Sequence, residues 1–364
     1  MEKTLSSRQL MTLTFVSMLS PFLRLIPGSV TAVSGSAAWV STALAIIPAA
    51  LLSAALIGLL NRFPKGTGLG EAVLRSLGPF PGALLLSLWT LWLICHSAFL
   101  LRSGADRFIA TIYPDSKPLF FILITLAICT VAATGPFKAL ARTTEIFRPL
   151  LLFVILLVLL FSLGKVEPTF LLPVTENQSG EIIKGIPLAV EPVSVALVNA
   201  AFLTKFLRPE NKNAHHWIWL IAVIILGVVF CAVCIGCLGE TVTAALAYPF
   251  FVMARDLSII SGVERIEALV VGLWLLPDFV LVTAELMISA DNLQMITGQL
   301  QSKQWKNGGI LAGAVLSGVA AYYIAPDPQS LLQWSDKIIP AIHLGWAYFV
   351  VPVVLLIATL RRKF

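Results

Sequence analysis

Four ionisable side chains sit in stretches that are otherwise apolar: Arg24, His96, Glu191 and Asp278. Around Arg24 the chain reads Ser20-Pro21-Phe22-Leu23-Arg24-Leu25-Ile26-Pro27-Gly28, and around Glu191 it reads Pro187-Leu188-Ala189-Val190-Glu191-Pro192. A guanidinium and a carboxylate, each beside a helix breaker, could hold a zwitterion: its carboxylate on Arg24, its ammonium on Glu191. A permanent ion pair with no ligand is the alternative. His96, in Trp92-Leu93-Ile94-Cys95-His96-Ser97, and Asp278, in Leu276-Pro277-Asp278-Phe279, have the chemistry of a proton relay or coupling-ion site. A neutral His or protonated Asp hydrogen-bonded between helices is the structural alternative for both.

Other clusters carry less chemistry. Cys231, Cys234 and Cys237 have a metal-like spacing, yet on a helix they drift around the face with no His or fourth thiol nearby, so they read as small packing residues. Pro64-Lys65-Gly66-Thr67-Gly68-Leu69-Gly70-Glu71 lacks the Gly-Lys-Ser/Thr ending of a phosphate loop and reads as a turn into an interfacial helix. Gly309-x-x-x-Gly313 is a close-packing motif and a weak dimerisation signal. No Ser–His–Asp, zincin or nucleotide motif emerges. The expectation is a non-enzyme without metal or cofactor.

The elements that position these residues follow from composition. The chain is 58% hydrophobic and 12% charged over 364 residues, with a mean hydropathy of +0.91; a soluble domain is roughly a quarter charged. Apolar stretches of about 20 residues, enough to cross a bilayer, fall near Leu10–Ala32, Ala37–Leu60, Phe80–Ile109, Pro118–Gly135 and Thr144–Gly164. Five more fall near Gly185–Leu207, Trp217–Leu238, Ile266–Ser289, Gly309–Ile324 and Ile338–Leu360. All five cysteines lie inside these stretches, so no disulfide framework is expected. The prolines interrupt the first and sixth spans, which lead two sets of five. Broken helices in corresponding positions are the mark of an inverted-repeat transporter fold. The expected architecture is therefore all-α: one integral membrane domain of about ten transmembrane helices in a five-plus-five inverted repeat. Helices one and six are expected to be discontinuous, with halves at residues 1–164 and 165–364.

The net charge of +6 does not point to nucleic acid. Most of the 25 Lys and Arg, among them Arg62, Lys65, Arg75, Lys205, Arg208 and Arg361-Arg362-Lys363, fall on one set of alternate connections. Arg24 is the one basic residue assigned to a span interior. That asymmetry is the positive-inside pattern and places both termini in the cytoplasm. Residues 164–184 and 241–264 then lie outside, the first as a lid or cap and the second as a short surface helix too interrupted to span. The N-terminal segment runs into a full-length span with no convincing cleavage site, the pattern of an uncleaved anchor. Arg24 and Glu191 come to similar depths, Arg24 about 4–5 Å past the middle of its span at 1.5 Å per residue.

Several motifs in order resemble the B-subunit family of bacterial spore germinant receptors, the spore germination permeases. Leu5-Ser6-Ser7-Arg8-Gln9 resembles the family's opening, Arg62-Phe63-Pro64 its Arg-Phe-Pro, and Ala141-Arg142-Thr143-Thr144-Glu145-Ile146 the motif opening its fifth span. Leu171-Leu172-Pro173-Val174, Tyr248-Pro249-Phe250 and Glu264-Arg265-Ile266-Glu267-Ala268 continue the match. The resemblance implies the amino acid–polyamine–organocation superfamily fold, a place in the spore inner membrane, and partnership with receptor A and C subunits. It implies a small germinant, commonly an amino acid, bound among spans one, three, six and eight. On those spans the candidate ligand residues are Ser20, Phe22, Arg24, Trp92, His96, Glu191, Ser194 and Asp278. Arg142 and Glu145, at an inner helix end, read as structural. Where the family often has glycine at the first break, this chain has Ser20-Pro21 followed by Arg24, which implies a different ligand preference. The rival reading is a proton-coupled amino-acid carrier.

Overall fold

In lipid every backbone polar group must be satisfied within the chain, so long apolar runs become helices. The computed structural model describes residues 5–172, 179–208, 216–255, 266–300 and 302–361. These residues are helical apart from turns, connections and one isolated bridge pairing Leu5 with Leu207. The protein is an all-α polytopic membrane protein, and among the described residues seven helical stretches are long and apolar enough to cross a membrane.

The stretch expected as the first span maps onto α1 (Ser7–Arg24), a π-helical turn at Leu25–Ser29 and α2 (Val30–Ser34); a 3-10 turn then leads to α3 (Ala38–Leu44) and α4 (Ile46–Leu60). After a turn come α5 (Leu69–Leu77), α6 (Pro79–Thr111), α7 (Pro118–Ala133) and α8 (Phe137–Ser162). Next come α9 (Ser179–Leu203), α10 (His216–Leu238), the short α11 (Glu240–Ala245) and α12 (Pro249–Arg255), then α13 (Ile266–Thr297) and α14 (Lys303–Tyr323). The last stretch is α15 (Pro328–Gln333), α16 (Ile339–Gly345) and α17 (Val351–Leu360), joined by π turns at Trp334–Ile338 and Trp346–Val350. Each π turn contains or directly precedes a proline-bearing segment, with Pro27, Pro340 and Pro352 in place. A proline removes an amide donor and clashes with the carbonyl four residues back, and widening the turn relieves that clash.

The expected breaks are realised unequally. The first span widens at Leu25–Ser29, whereas α9 stays helical through both Pro187 and Pro192. There the prolines take hydrogen bonds away from the carbonyls of Ile183 and Leu188 without interrupting the path of the helix. The discontinuity expected in the sixth span is thus one of hydrogen bonding alone.

Burial separates core helices from the lipid-facing shell. The most apolar windows of α9 and α13 are 83% buried, against 33% for Ile26–Leu60 and for Phe137–Lys165. The outer faces show large apolar side chains such as Leu51, Leu91, Phe153, Leu156 and Ile218. On a water-soluble protein such a surface would aggregate; here it faces acyl chains. The glycines of the α14 close-packing motif are used within the chain, since a Cβ on Gly309 would stand 3.3 Å from Ala290 Cα and one on Gly313 would stand 3.5 Å from Leu286 Cδ2, both on α13. Gln9 Nε2 donates to Glu145 Oε2 at 3.2 Å, which ties α8 to α1. Glu167 donates its amide to the Gly236 carbonyl at 2.8 Å, so part of the segment after α8 lies across the end of α10.

Candidate functional site

The core helices α6 and α13 run antiparallel and meet in a register of seven residues. Thr90, Ser97 and Gly104 on α6 face Asn292, Glu285 and Asp278 on α13. A seven-residue repeat stays on one face when two helices cross with a left-handed supercoil. The result is a polar seam about 21 Å long at 1.5 Å per residue, most of a hydrocarbon core.

Three rungs make up the seam. In the middle, His96 Nδ1 lies 2.6 Å from Glu285 Oε1, and Ser97 Oγ donates to Glu285 Oε2 at 2.7 Å. Glu285 is wholly buried, so both carboxylate oxygens are matched by polar partners from α6. One turn pair along, Arg107 forms an ion pair with Asp278, donates to Ser20 Oγ at 2.9 Å and lies over the Trp274 ring at 5.7 Å. This rung joins α6, α13 and α1. Gly104 makes it fit, because a Cβ there would stand 3.5 Å from Asp278 Oδ2 and 3.6 Å from Arg107 Nη2. A cavity with room for about one water lies beside this rung. At the other end, Asn292 Nδ2 donates to Thr90 Oγ1 at 3.3 Å, and next to it Lys205 at the end of α9 pairs with Asp291.

Of the residues expected in a ligand site, Ser20 and Asp278 are brought together through Arg107, and Trp92 stacks on His96 with ring centroids 5.9 Å apart. Trp92 Nε1 donates to His343 Nδ1 at 3.4 Å, which adds α16 to the wall. Ser194 Oγ lies 3.2 Å from the Tyr348 hydroxyl, so α9 meets the π turn between α16 and α17 there. Glu191 is buried on α9. The Arg24 side chain lies outside the described residues, as do residues 256–265 of the expected surface helix. Phe22 is placed elsewhere: it meets Phe230 of α10 edge-on at 6.2 Å and sits in core packing away from the seam. Cys231 and Cys234 are buried, and Cys231 Sγ lies 3.8 Å from the Ile26 carbonyl oxygen, a packing contact.

Four charged participants escaped the sequence reading: Arg107, Glu285, Lys205 and Asp291. Arg107 lies near the end of the expected Phe80–Ile109 stretch, where a basic residue reads as a flank, yet it is 3% exposed within a helix of 33 residues that outruns the bilayer. Glu285 is, like Glu191, a carboxylate in an apolar run, though without the adjacent proline that marks Glu191, and its seven-residue spacing from Asp278 and Asn292 is legible.

A helical bundle whose centre is threaded by buried charged pairs defines a class: integral membrane proteins with intramembrane polar sites, where such groups face partners or a path and not lipid. Within that class the chain belongs to the spore germination protein family, whose model matches residues 4–317. It is similar to spore germination protein XB of Bacillus anthracis, at 22% identity over 246 residues. That match covers 65% of this chain and 66% of the relative, so the chain spans just under two thirds of the curated relative's length.

Proposed function

We propose that the chain is the germinant-sensing membrane subunit of a spore nutrient receptor, and that it holds a small nutrient, an amino acid by preference, among α1, α6, α9 and α13. The observation that carries this reading is the Arg107–Asp278–Ser20 rung beside the central His96–Glu285–Ser97 rung, in a chain of the spore germination protein family. A zwitterion is matched by closely spaced opposite charges, and such pairs can exchange one partner for the ligand's ammonium or carboxylate. Glu191, with Arg24 at similar depth, is the second pair of the proposed seat. Both amide atoms of Asn199 on α9 and the hydroxyl of Ser289 on α13 are buried without hydrogen-bond partners, a surplus of polar groups in the same helices. The seam is closed, so the nutrient enters through a second arrangement of the helices and acts by its differential affinity for the two. A five-plus-five inverted repeat with cytoplasmic termini, placement in the spore inner membrane, and assembly with A and C subunits complete the proposal.

The test is germination of spores lacking this gene against a panel of nutrients, with the wild-type gene and a Glu191→Gln version restored. The reading expects loss of response to one nutrient group, rescue by the wild type, and a response shifted to at least tenfold higher nutrient by the variant at equal protein level. Unchanged germination on every nutrient overturns it. A second reading, a proton-coupled amino-acid carrier, draws on the close His96–Glu285 contact, a mid-membrane site for one shared proton. Uptake into proteoliposomes driven by a pH gradient, abolished by Glu285→Gln, would establish the carrier in its place.

A further inference from the structure

A cavity of about 400 Å³ lies apart from the seam, at the end of the bundle where α1 begins and α4 and α9 finish. At this end Leu5 donates its amide to the Phe206 carbonyl, Arg208 donates its amide to the Leu5 carbonyl, and Thr204 Oγ1 donates to the Thr67 carbonyl, so the chain before α1 and the turn before α5 are both tied to the segment after α9 at the cavity rim. Lys65 and Arg208 line the cavity at this rim, and both are exposed. Below the rim the walls become apolar, with Leu10 of α1, Leu56 of α4 and Leu197 of α9. From Asn61, which caps α4 at the rim, back to Ser53 on the wall is eight residues, about 12 Å of depth. The hydroxyls of Ser53 and Ser7 are buried, line the cavity and have no hydrogen-bond partner; Ser53 itself is 1% exposed.

That gradient, two cations at the rim above an apolar shaft, is the shape of an amphiphile with an anionic head. The volume falls in the range of specific ligand sites, about 300–1,000 Å³. Basic pockets between helices at a membrane surface bind anionic head groups. A nutrient amino acid carries both charges on one carbon and is too short to cover about 12 Å of apolar wall. We propose that this cavity is a binding site for an anionic phospholipid, with its phosphate between Lys65 and Arg208 and one acyl chain along α1, α4 and α9. The site bridges the first and sixth spans, so an occupied cavity holds the ends of α1 and α9 together. The proposal is independent of the nutrient seat.

Native mass spectrometry of the full chain in detergent, titrated with dioleoyl phosphatidylglycerol, dioleoyl phosphatidylcholine or inorganic phosphate, tests it. Phosphatidylglycerol should be retained at least tenfold more tightly than phosphatidylcholine. Lys65→Gln with Arg208→Gln should weaken that retention about thirtyfold, which corresponds to about 2 kcal/mol, or about one per basic residue. Lys117→Gln, a charge removed at the start of α7, should leave it unchanged. Ser53→Leu, which fills the shaft with apolar volume, should lower retention while the thermal midpoint of the lipid-free protein is maintained, and this guards against a rim variant that merely misfolds. Equal retention of the two lipids, an unaffected double variant, or free phosphate binding as tightly as phosphatidylglycerol would each overturn the proposal.

Discussion

Replacing Asp278 by asparagine strands a guanidinium inside the bundle. Arg107 and Asp278 are 3% and 5% exposed, so neither charge has water to fall back on. Removing one partner of a buried pair costs about 3–5 kcal/mol, because the remaining charge stays desolvated. Arg107 keeps its bond to Ser20 Oγ and its position over Trp274, and the asparagine carbonyl accepts one hydrogen bond, so the lower end, about 3 kcal/mol, is expected. Arg107→Met alone leaves the carboxylate stranded and should cost a similar amount. The double variant removes both charges and leaves one buried amide beside an apolar side chain, so it should come within about 1–2 kcal/mol of wild type, closer than either single change. The cycle therefore predicts a coupling of about 3 kcal/mol or more. Equilibrium unfolding in mixed detergent micelles with sodium dodecyl sulfate measures all four proteins. Single-variant losses that add within about 0.5 kcal/mol would refute the claim that these groups are one interacting unit.

Three further outcomes follow from other parts of the fold. Gly309→Val should destabilise by about 1–3 kcal/mol through overpacking against Ala290, with no change of oligomeric state by light scattering; a dissociated oligomer would mean that the motif faces another copy. Asp327 caps α15 by accepting from the Ser330 amide at 2.8 Å, and its hydrogen bonds with Ser330 hold its carboxyl below the usual range. Because its folded pKa is depressed, the contribution of this cap is present above the unfolded carboxyl pKa, about 3.9, and is lost as pH falls through the lower folded value. Asp327→Ala should accordingly narrow the difference in thermal midpoint between neutral pH and pH 3, and an unchanged difference would contradict the cap. Gly180→Cys in a cysteine-free background should react with an impermeant maleimide added from outside; labelling only from the cytoplasmic side would invert the topology.

The sequence made the helices legible because a bilayer leaves so little choice: apolar runs of span length at Trp217–Leu238 and Pro118–Gly135 map onto α10 and α7 with bounds within two residues. The irregular part of the first span was equally legible, because Pro27 cannot donate and the chain answers with a π turn. Pro192 misled in the opposite direction. The local signal is the same, but 83% burial of the α9 window surrounds that helix with packing that holds it straight. Partner choice was the weakest inference. Asp278 read as a lone acid because Arg107 is far off in the chain, and only antiparallel register brings Gly104 and Arg107 beside it. Glu285 was overlooked because no proline or histidine flanks it, although its spacing from Asp278 and Asn292 marks one helix face. Phe22 shared a motif with Ser20 and Arg24 but points to α10, since neighbours in sequence on a helix face different ways.

The central claim is that a small nutrient is bound inside the membrane domain, within reach of Glu191 and the Arg107–Asp278 rung. Equilibrium dialysis of the purified full chain against the radiolabelled nutrient that triggers germination measures this directly, with wild type and Glu191→Gln in parallel. Saturable binding by wild type, weakened at least tenfold in a Glu191→Gln protein of unchanged thermal midpoint, is the predicted result. Binding of equal affinity in both proteins, or no binding by a folded wild type, would contradict the account.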